Sequence, residues 1–146
     1  MIDNSKTQTK ETQTAISPQM AVQMLKDGNA RFLSKQTLNR DINQQVVETG
    51  GGQFPFAAVL ACIDSRVPAE IIFDQGMGDI FSARVAGNFV NTDILGSLEF
   101  ACKAAGSKAI LVLGHTHCGA VKGACDNVQL GNLTAMLSNL MPAVES

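Results

Sequence analysis

The sequence has no excess of positive charge and no long hydrophobic run. Its 146 residues include 11 Lys and Arg against 13 Asp and Glu, which gives a formal net charge of -2. Nucleic acids and anionic membranes both bind clustered Lys and Arg, so we expect neither as a partner. No apolar run approaches the roughly 20 residues that a membrane-spanning helix requires. The sequence therefore predicts no membrane-spanning segment.

The N-terminal segment has almost no apolar residues to bury. Residues 1–14 read MIDNSKTQTKETQT, which is polar where a secretory signal is apolar, so we predict a cytoplasmic location. We expect residues 1–15 to form a disordered tail. The whole sequence is 45% hydrophobic, and its length suits one buried core but not two. Residues 16–146 are therefore predicted to form a single domain.

Strand and helix patterns alternate along the chain and predict an α/β fold. Apolar residues at helical spacing after Ser17 and Pro18 indicate an N-terminal amphipathic helix. The continuous apolar run 56–63 is typical of a strand buried on both faces, and further strands are predicted at 80–86 and 108–114. Helices are predicted over 68–73, from Thr92 or Asp93 to 105, and from Asn132 onwards. This order indicates a parallel β-sheet core flanked by helices, with functional residues at the carboxyl ends of the strands.

Four cysteines are present, and a reducing cytoplasm favours thiols or metal ligands over disulfides. Cys62 and Asp64 are two residues apart at the end of the first strand, so their side chains point the same way. His115 and Cys118 follow the third strand and are three residues apart across a turn into a helix. Thiolate, imidazole and carboxylate ligands together favour tetrahedral zinc over calcium or magnesium. The sequence therefore predicts one Zn²⁺ per chain, bound by Cys62, Asp64, His115 and Cys118.

Three separated motifs carry a resemblance to a known family. They are Cys62-x-Asp64-Ser65-Arg66, Arg84-x-Ala86-Gly87-Asn88 and His115-x-x-Cys118-Gly119. Together they resemble the β-class carbonic anhydrases, and the similarity begins near residues 28–32 and runs to the C-terminal end. Members of that family usually continue with another strand and further helices, so we expect this chain to lack the usual C-terminal part.

The resemblance implies specific roles for several residues. In the family Cys, His and Cys bind zinc, which the match places on Cys62, His115 and Cys118. The family's aspartate and arginine fall on Asp64 and Arg66. The aspartate either orients zinc-bound hydroxide or, in a closed form of some members, occupies the fourth zinc position itself. Arg66 is expected to hold the carboxylate off the metal by a two-point contact.

The resemblance also implies how carbon dioxide is bound. Gln53 stands where one branch of the family has a glutamine that hydrogen-bonds the substrate, and that branch has a normally open site. Phe81 matches an apolar pocket residue donated across a dimer, so a homodimer or higher homo-oligomer is expected. Carbon dioxide is small and apolar, and we expect Phe81 with Val85 and Ala86 to line its pocket. Arg84 is interpreted either as a salt-bridged strand residue or, from the resemblance, as a residue near the dimer interface and the active cleft.

The implied function is carbonic anhydrase activity, that of a zinc lyase (carbonate dehydratase). Zinc-bound hydroxide attacks carbon dioxide and yields bicarbonate and a proton, reversibly. Two alternatives stay open at this point. One is a related zinc hydrolase acting on a carbon dioxide analogue. The other is a non-catalytic domain that binds zinc or a partner.

The ligand set predicts how the rate of carbon dioxide hydration depends on pH. Two thiolates offset the charge of zinc, so the activated water is less acidic than at a three-histidine site. We therefore expect the rate, followed by stopped-flow with a pH indicator, to climb above neutral pH. A flat profile between about pH 6.5 and 9 contradicts this expectation.

Overall fold

The computed structural model describes residues 2–146, and within them a three-stranded sheet is flanked by helices. A π-helical turn, Phe100–Ala104, directly continues the helix Thr92–Glu99. None of the helices in the described residues is long and apolar enough to cross a bilayer. The elements in chain order are α1 (Lys10–Ala15), α2 (Pro18–Leu33), α3 (Ile42–Thr49), β1 (Ala57–Ala61), α4 (Ala69–Ile72), β2 (Ile80–Arg84), α5 (Thr92–Glu99), β3 (Ala109–Leu113), α6 (Gly119–Cys125), α7 (Gly131–Ser138) and α8 (Met141–Val144).

Strand β1 is the centre of the sheet. The strand order is β2-β1-β3 and both pairings are parallel, with Ala57 aligned to Ile80 and to Ala109. Every residue of β1 is buried, as expected for a parallel strand covered on both faces. The predicted parallel α/β architecture is confirmed.

The two faces of the sheet are covered to different extents. On one face α2 and α4 pack against β1, and Leu25 and Phe73 join Val59 in one apolar cluster. On the other face α5 and the π-helical turn cover β1 and β2, where Leu98 contacts Ala58. The same face of β3 is open, since two apolar side chains there are about half exposed. They are Ile110 (48% exposed) and Val112 (59% exposed).

The predicted N-terminal helix is present as α2. Ser17 is its N-cap and accepts a hydrogen bond from the Met20 N–H, and Pro18 occupies the first turn. Its buried residues lie at helical spacing, as the apolar pattern predicted: Ala21, Met24, Leu25 and Gly28.

Residues 10–15 form helix α1, where the sequence predicted a disordered tail. Thr9 caps the helix through the Thr12 N–H. The buried Gln13 donates from Nε2 to the Pro55 and Ala105 carbonyls at 2.8 and 2.9 Å. The segment is therefore attached by hydrogen bonds to main-chain carbonyls. The disordered tail was predicted because residues 1–15 contain few apolar side chains. Amino-acid composition does not report hydrogen bonds between a side chain and distant carbonyls.

Two further differences concern helix boundaries. The cap of α5 is Asn91, whose side chain accepts from the Ile94 N–H, one residue before the predicted Thr92. Helix α6 forms in a glycine-rich stretch, where the sequence predicted a turn into a helix but no bounds for that helix. Its Ala124 packs against Leu137 and Leu140, so tertiary burial outweighs the low helix propensity of its glycines.

A buried ion pair joins the N-terminal segment, α2 and the loop after α4. The Asp74 carboxylate contacts Arg31 Nε at 2.5 Å and Arg40 Nη1 at 2.6 Å. Arg40 also donates to the Asn4 carbonyl at 2.9 Å. Burial raises the pKa of Asp74, but the two guanidinium groups outweigh it and hold that pKa below its ordinary value.

Replacing Asp74 by Asn should destabilise the fold in a pH-dependent way. Because the folded-state pKa is lowered, the ionised group stabilises the fold above its unfolded pKa of about 3.9 and loses that effect as pH falls. We expect the free energy of unfolding to drop by on the order of 3 kcal/mol at neutral pH. Urea denaturation should show the difference from wild type shrinking below about pH 4.

The control for this prediction is Asp27→Asn. Asp27 is exposed and accepts a hydrogen bond from Gln23 in the same helix. The control variant should stay within about 0.5 kcal/mol of wild type. A loss for Asp74→Asn that is equally large in acid and at neutral pH contradicts the prediction.

Gly28 allows α2 to approach the end of α4 closely. A Cβ at position 28 would lie 1.8 Å from the Phe73 carbonyl oxygen. Gly28→Ala should therefore lower the free energy of unfolding by about 1–3 kcal/mol or more. Gly96 is an exposed helical glycine, and a Cβ added there would meet no atom of another element within 4 Å, so the same change should raise the free energy of unfolding by about 0.5–1 kcal/mol. If Gly28→Ala and Gly96→Ala change the thermal unfolding temperature equally, Gly28 is not required for the close approach of α2 to α4.

Candidate metal centre

Three metal-binding side chains converge at the carboxyl edge of the sheet. Cys62 directly follows β1, His115 follows β3 after one intervening residue, and Cys118 is the N-cap of α6. Their ligand atoms all lie within 4.8 Å of one another. The Sγ atoms of Cys62 and Cys118 are 4.0 Å apart. The predicted convergence of two distant loops on one point is confirmed.

The chemistry and spacing of this group fit a zinc ion. Tetrahedral zinc with Zn–S bonds of about 2.3 Å places two sulfurs about 3.8 Å apart. His115 Nε2 is buried without a hydrogen-bond partner, while Nδ1 lies 2.9 Å from the Thr116 carbonyl oxygen. Donation from Nδ1 to that oxygen leaves the Nε2 lone pair available to a metal. A buried, unpartnered ring nitrogen beside two thiols is what a zinc site requires.

The surroundings of Cys62 favour its thiolate form. Burial raises the pKa of the Cys62 thiol, but the hydrogen bond from the Gly87 N–H and the neighbouring His115 imidazole outweigh it and lower the pKa to about 7. The Gly87 nitrogen lies 3.3 Å from the sulfur. Since the thiolate is the metal-binding form of cysteine, this side chain is prepared for ligation near neutral pH.

Asp64 is held by Arg66 in the predicted two-point contact. Arg66 Nε donates to Asp64 Oδ1 at 2.9 Å, and Nη2 donates to Oδ2 at 2.7 Å. The Arg66 main-chain N–H also donates to Oδ1, at 3.0 Å. These contacts hold the pKa of Asp64 well below its usual range, so the carboxylate stays ionised. Its Oδ2 lies 3.8 Å from His115 Nδ1, beside the three ligands.

Asp64 lies outside the ligand group, which differs from the prediction that it is a fourth ligand. In the described residues the group comprises Cys62, His115 and Cys118. Both oxygens of Asp64 accept hydrogen bonds from Arg66. The Arg66 guanidinium therefore binds the Asp64 carboxylate and keeps it from joining the three ligands.

The predicted substrate-binding residues separate into two sets. Val85 and Ala86 are half-buried and directly precede Gly87, which contacts the Cys62 sulfur. Gln53 is exposed in the loop before β1, at the opposite end of that strand, and five strand residues span about 16 Å. Phe81 packs edge-on against Phe100 with ring centroids 6.1 Å apart. Within one chain Val85 and Ala86 therefore lie in the segment that ends at the Cys62 contact, whereas Gln53 lies at the other end of β1.

Phe81 lines a separate cavity of about 650 Å³ between β2 and α5. The cavity walls include Ala58, Leu98 and Phe100, and none of the three ligand side chains. The aromatic ring therefore faces a groove distinct from the metal centre of its own chain.

Two residues contact the ligand loop in ways that were not assigned from the sequence. Arg84 donates from Nε to the Cys62 carbonyl at 2.8 Å and from Nη2 to the Asp64 carbonyl at 2.6 Å. The Gly87 N–H contacts the Cys62 sulfur. Gly87 has φ of +79°, and a Cβ there would lie 2.7 Å from Leu140 Cδ1. The sequence signal for both residues was the Arg-x-Ala-Gly-Asn motif, which begins at Arg84, the last residue of β2.

Comparisons with known proteins agree on one family. The profile of the family described as Carbonic anhydrase matches residues 57–146. A carbonic anhydrase of Mycolicibacterium smegmatis is 44% identical over 119 residues, covering 80% of this chain and 57% of the relative. Carbonic anhydrase 2 of Mycobacterium tuberculosis is 42% identical over 120 residues, with the same coverage. The chain thus spans somewhat more than half the length of these curated relatives.

Solved structures give the same result for the fold. The β-carbonic anhydrase of Aspergillus fumigatus superposes with a TM-score of 0.65 at 28% identity, covering 87% of this chain and 60% of the other. A tetrameric β-carbonic anhydrase of Sordaria macrospora superposes with a TM-score of 0.60 at 30% identity, covering 68% and 56%. Sequence, fold and the Cys-His-Cys group coincide, and the chain belongs to the β-class carbonic anhydrase family.

Proposed function

We propose that this chain catalyses the reversible hydration of carbon dioxide to bicarbonate and a proton. The observation that carries the proposal is the Cys62, His115 and Cys118 group beside a carboxylate that Arg66 holds aside. The carbonic anhydrases of two mycobacterial species, at 44% and 42% identity, support it.

The ligand roles follow from the donor atoms. Cys62 Sγ, His115 Nε2 and Cys118 Sγ would hold the metal, and a set of three protein ligands is typical of catalytic zinc sites, which keep a position for water or substrate. Bound zinc lowers the pKa of a coordinated water and so supplies a nucleophile near neutral pH. The Thr116 carbonyl fixes the ring of His115 through Nδ1, which orients the ligand nitrogen.

Asp64 is the proposed catalytic carboxylate. Its Oδ2, the oxygen nearer His115, accepts the hydrogen bond of the attacking water and so orients it towards the substrate. Arg66 keeps that carboxylate ionised and off the metal by occupying it from the other side. Neutralising Asp64 removes an acceptor without removing a ligand.

The substrate pocket is proposed to be completed by a second copy of the chain. Carbon dioxide is uncharged and needs apolar contacts, which Val85 and Ala86 offer beside the ligands. Gln53 and Phe81 join the pocket when a partner subunit supplies them, so we propose a homodimer or higher homo-oligomer. The tetrameric relatives of Sordaria macrospora support this assembly. We also propose a cytoplasmic location, because thiolate ligands such as Cys62 and Cys118 persist in a reducing compartment.

The non-catalytic alternative is less well supported. Structural zinc sites have four protein ligands and no open position, whereas three residues form the group described here. A related hydrolase acting on a carbon dioxide analogue uses the same ligands, and substrate profiling separates the two enzymes.

Replacing Asp64 by Asn should separate catalysis from metal binding. We expect the zinc content to stay near wild type while the rate of carbon dioxide hydration falls by about 10²–10⁴-fold. Cys62→Ser should lose both zinc and activity, because a ligand is removed. Stopped-flow hydration assays and atomic absorption on the same samples measure the two quantities.

The matched control is Cys125→Ser, which changes an exposed cysteine outside the ligand group. This variant should keep wild-type zinc content and rate. Equal, negligible activity in wild type, Asp64→Asn and Cys62→Ser, with zinc retained in the wild type, would instead establish the non-catalytic zinc domain.

A further inference from the structure

We propose that Arg84 is a positioning residue for the metal centre, because its guanidinium holds the main chain that carries Cys62 and Asp64. This inference rests on the proposed function, since it assigns those two residues to one catalytic site. It gives a role to an arginine that touches neither a ligand atom nor the catalytic carboxylate.

The contact is a two-point bridge from the edge of the sheet to the ligand loop. Arg84 is the last residue of β2 and is aligned with Ala61, the last residue of β1. Its Nε donates to the Cys62 carbonyl at 2.8 Å and its Nη2 to the Asp64 carbonyl at 2.6 Å. A planar guanidinium presents two N–H groups in a fixed geometry, which a lysine ammonium does not. One side chain therefore sets the path of the chain across Ile63.

Apolar packing does not fix this part of the loop. Ile63, between the two bridged residues, is 61% exposed. The last main-chain bond of the β1 ladder in this direction is from the Val85 N–H to the Ala61 carbonyl, at 3.1 Å. Beyond it the chain leaves the sheet, and the hydrogen bonds from Arg84 continue the connection to β2. A buried main-chain carbonyl requires such a partner.

Arg84 is not explained as an ion-paired strand residue. In residues 2–146 the basic side chains within ion-pair distance of a carboxylate are Arg31, Arg40, Arg66, His115 and Lys122. Arg84 instead directs its N–H groups to carbonyl oxygens. The salt-bridge interpretation drawn from the sequence is therefore wrong.

The consequences of the bridge are specific to the metal centre. Cys62 supplies a ligand sulfur. The Asp64 carboxylate, which is bound to Arg66, lies 3.8 Å from His115 Nδ1. Loosening the two carbonyls lets the sulfur and the carboxylate move independently. Outer partners of metal ligands typically change metal affinity or activity by about 10–100-fold when removed, and we expect a change of that size here.

The test compares Arg84→Met and Arg84→Lys with wild type. Zinc affinity is measured by chelator competition, and ligand geometry by the absorption bands of the cobalt-substituted protein. For Arg84→Met we expect about 10–100-fold weaker zinc binding, shifted cobalt bands, and a fall in kcat that exceeds any change in KM. Arg84→Lys should lie between Arg84→Met and wild type, because it restores a donor but not the two-point geometry.

The control is Arg31→Met. Arg31 lies in α2 and forms an ion pair with Asp74, in the loop between α4 and β2. This variant should lower stability in urea but leave zinc affinity and the cobalt bands unchanged. Wild-type affinity, bands and kcat in both Arg84 variants overturn the proposal. If Arg84→Met does not fold, Arg84→Lys decides alone, and wild-type values in it overturn the proposal. A wild-type protein that binds zinc without hydrating carbon dioxide refutes the proposed function instead.

Discussion

The parallel alignment of β1 with β3 is the constraint on which the metal centre depends. Cys62 and the His115–Cys118 pair are separated by more than fifty residues in the sequence, yet they follow neighbouring strands that end at one edge. That alignment is secured by burial, since β1 is covered on both faces and its five residues are small or aliphatic. A one-residue slip of β1 would reverse its alternation and move Cys62 to the other face. The register of β1 that buries its apolar side chains is therefore also the register that places Cys62 beside the other ligands.

Around the ligands, positive groups determine where negative charge can lie. Arg66 holds the Asp64 carboxylate from the solvent side and Arg84 holds the carbonyls from the sheet side. The first contact is exposed, with the Arg66 side chain 61% accessible, and the second is half-buried. The two arginines therefore differ in function: one restrains a side chain that takes part in chemistry, and the other restrains the backbone behind it.

Much of this arrangement could be predicted from the sequence because the relevant signals are local. The apolar run before Cys62, the Ser17-Pro18 helix start and the three motifs each lie within a few residues. Contacts that depend on distant partners were not predictable in this way. Gln13 reaches the Pro55 and Ala105 carbonyls, and no periodicity in a polar tail reports that. Likewise, Arg84 could be located by its motif, but its choice of carbonyls over carboxylates depends on the packed geometry.

The glycine after β2 links the metal centre to the C-terminal helices. Gly87 donates its N–H to the Cys62 sulfur on one side, and on the other it lies against Leu140, with no room for a side chain between them. Leu140 belongs to the cluster formed by α6 and α7. A side chain at position 87 would therefore have to displace Leu140 or move the peptide group that donates to the ligand sulfur. The peptide that donates to this thiolate thus packs against a layer of helices that supplies a single metal ligand, Cys118 at the N-cap of α6.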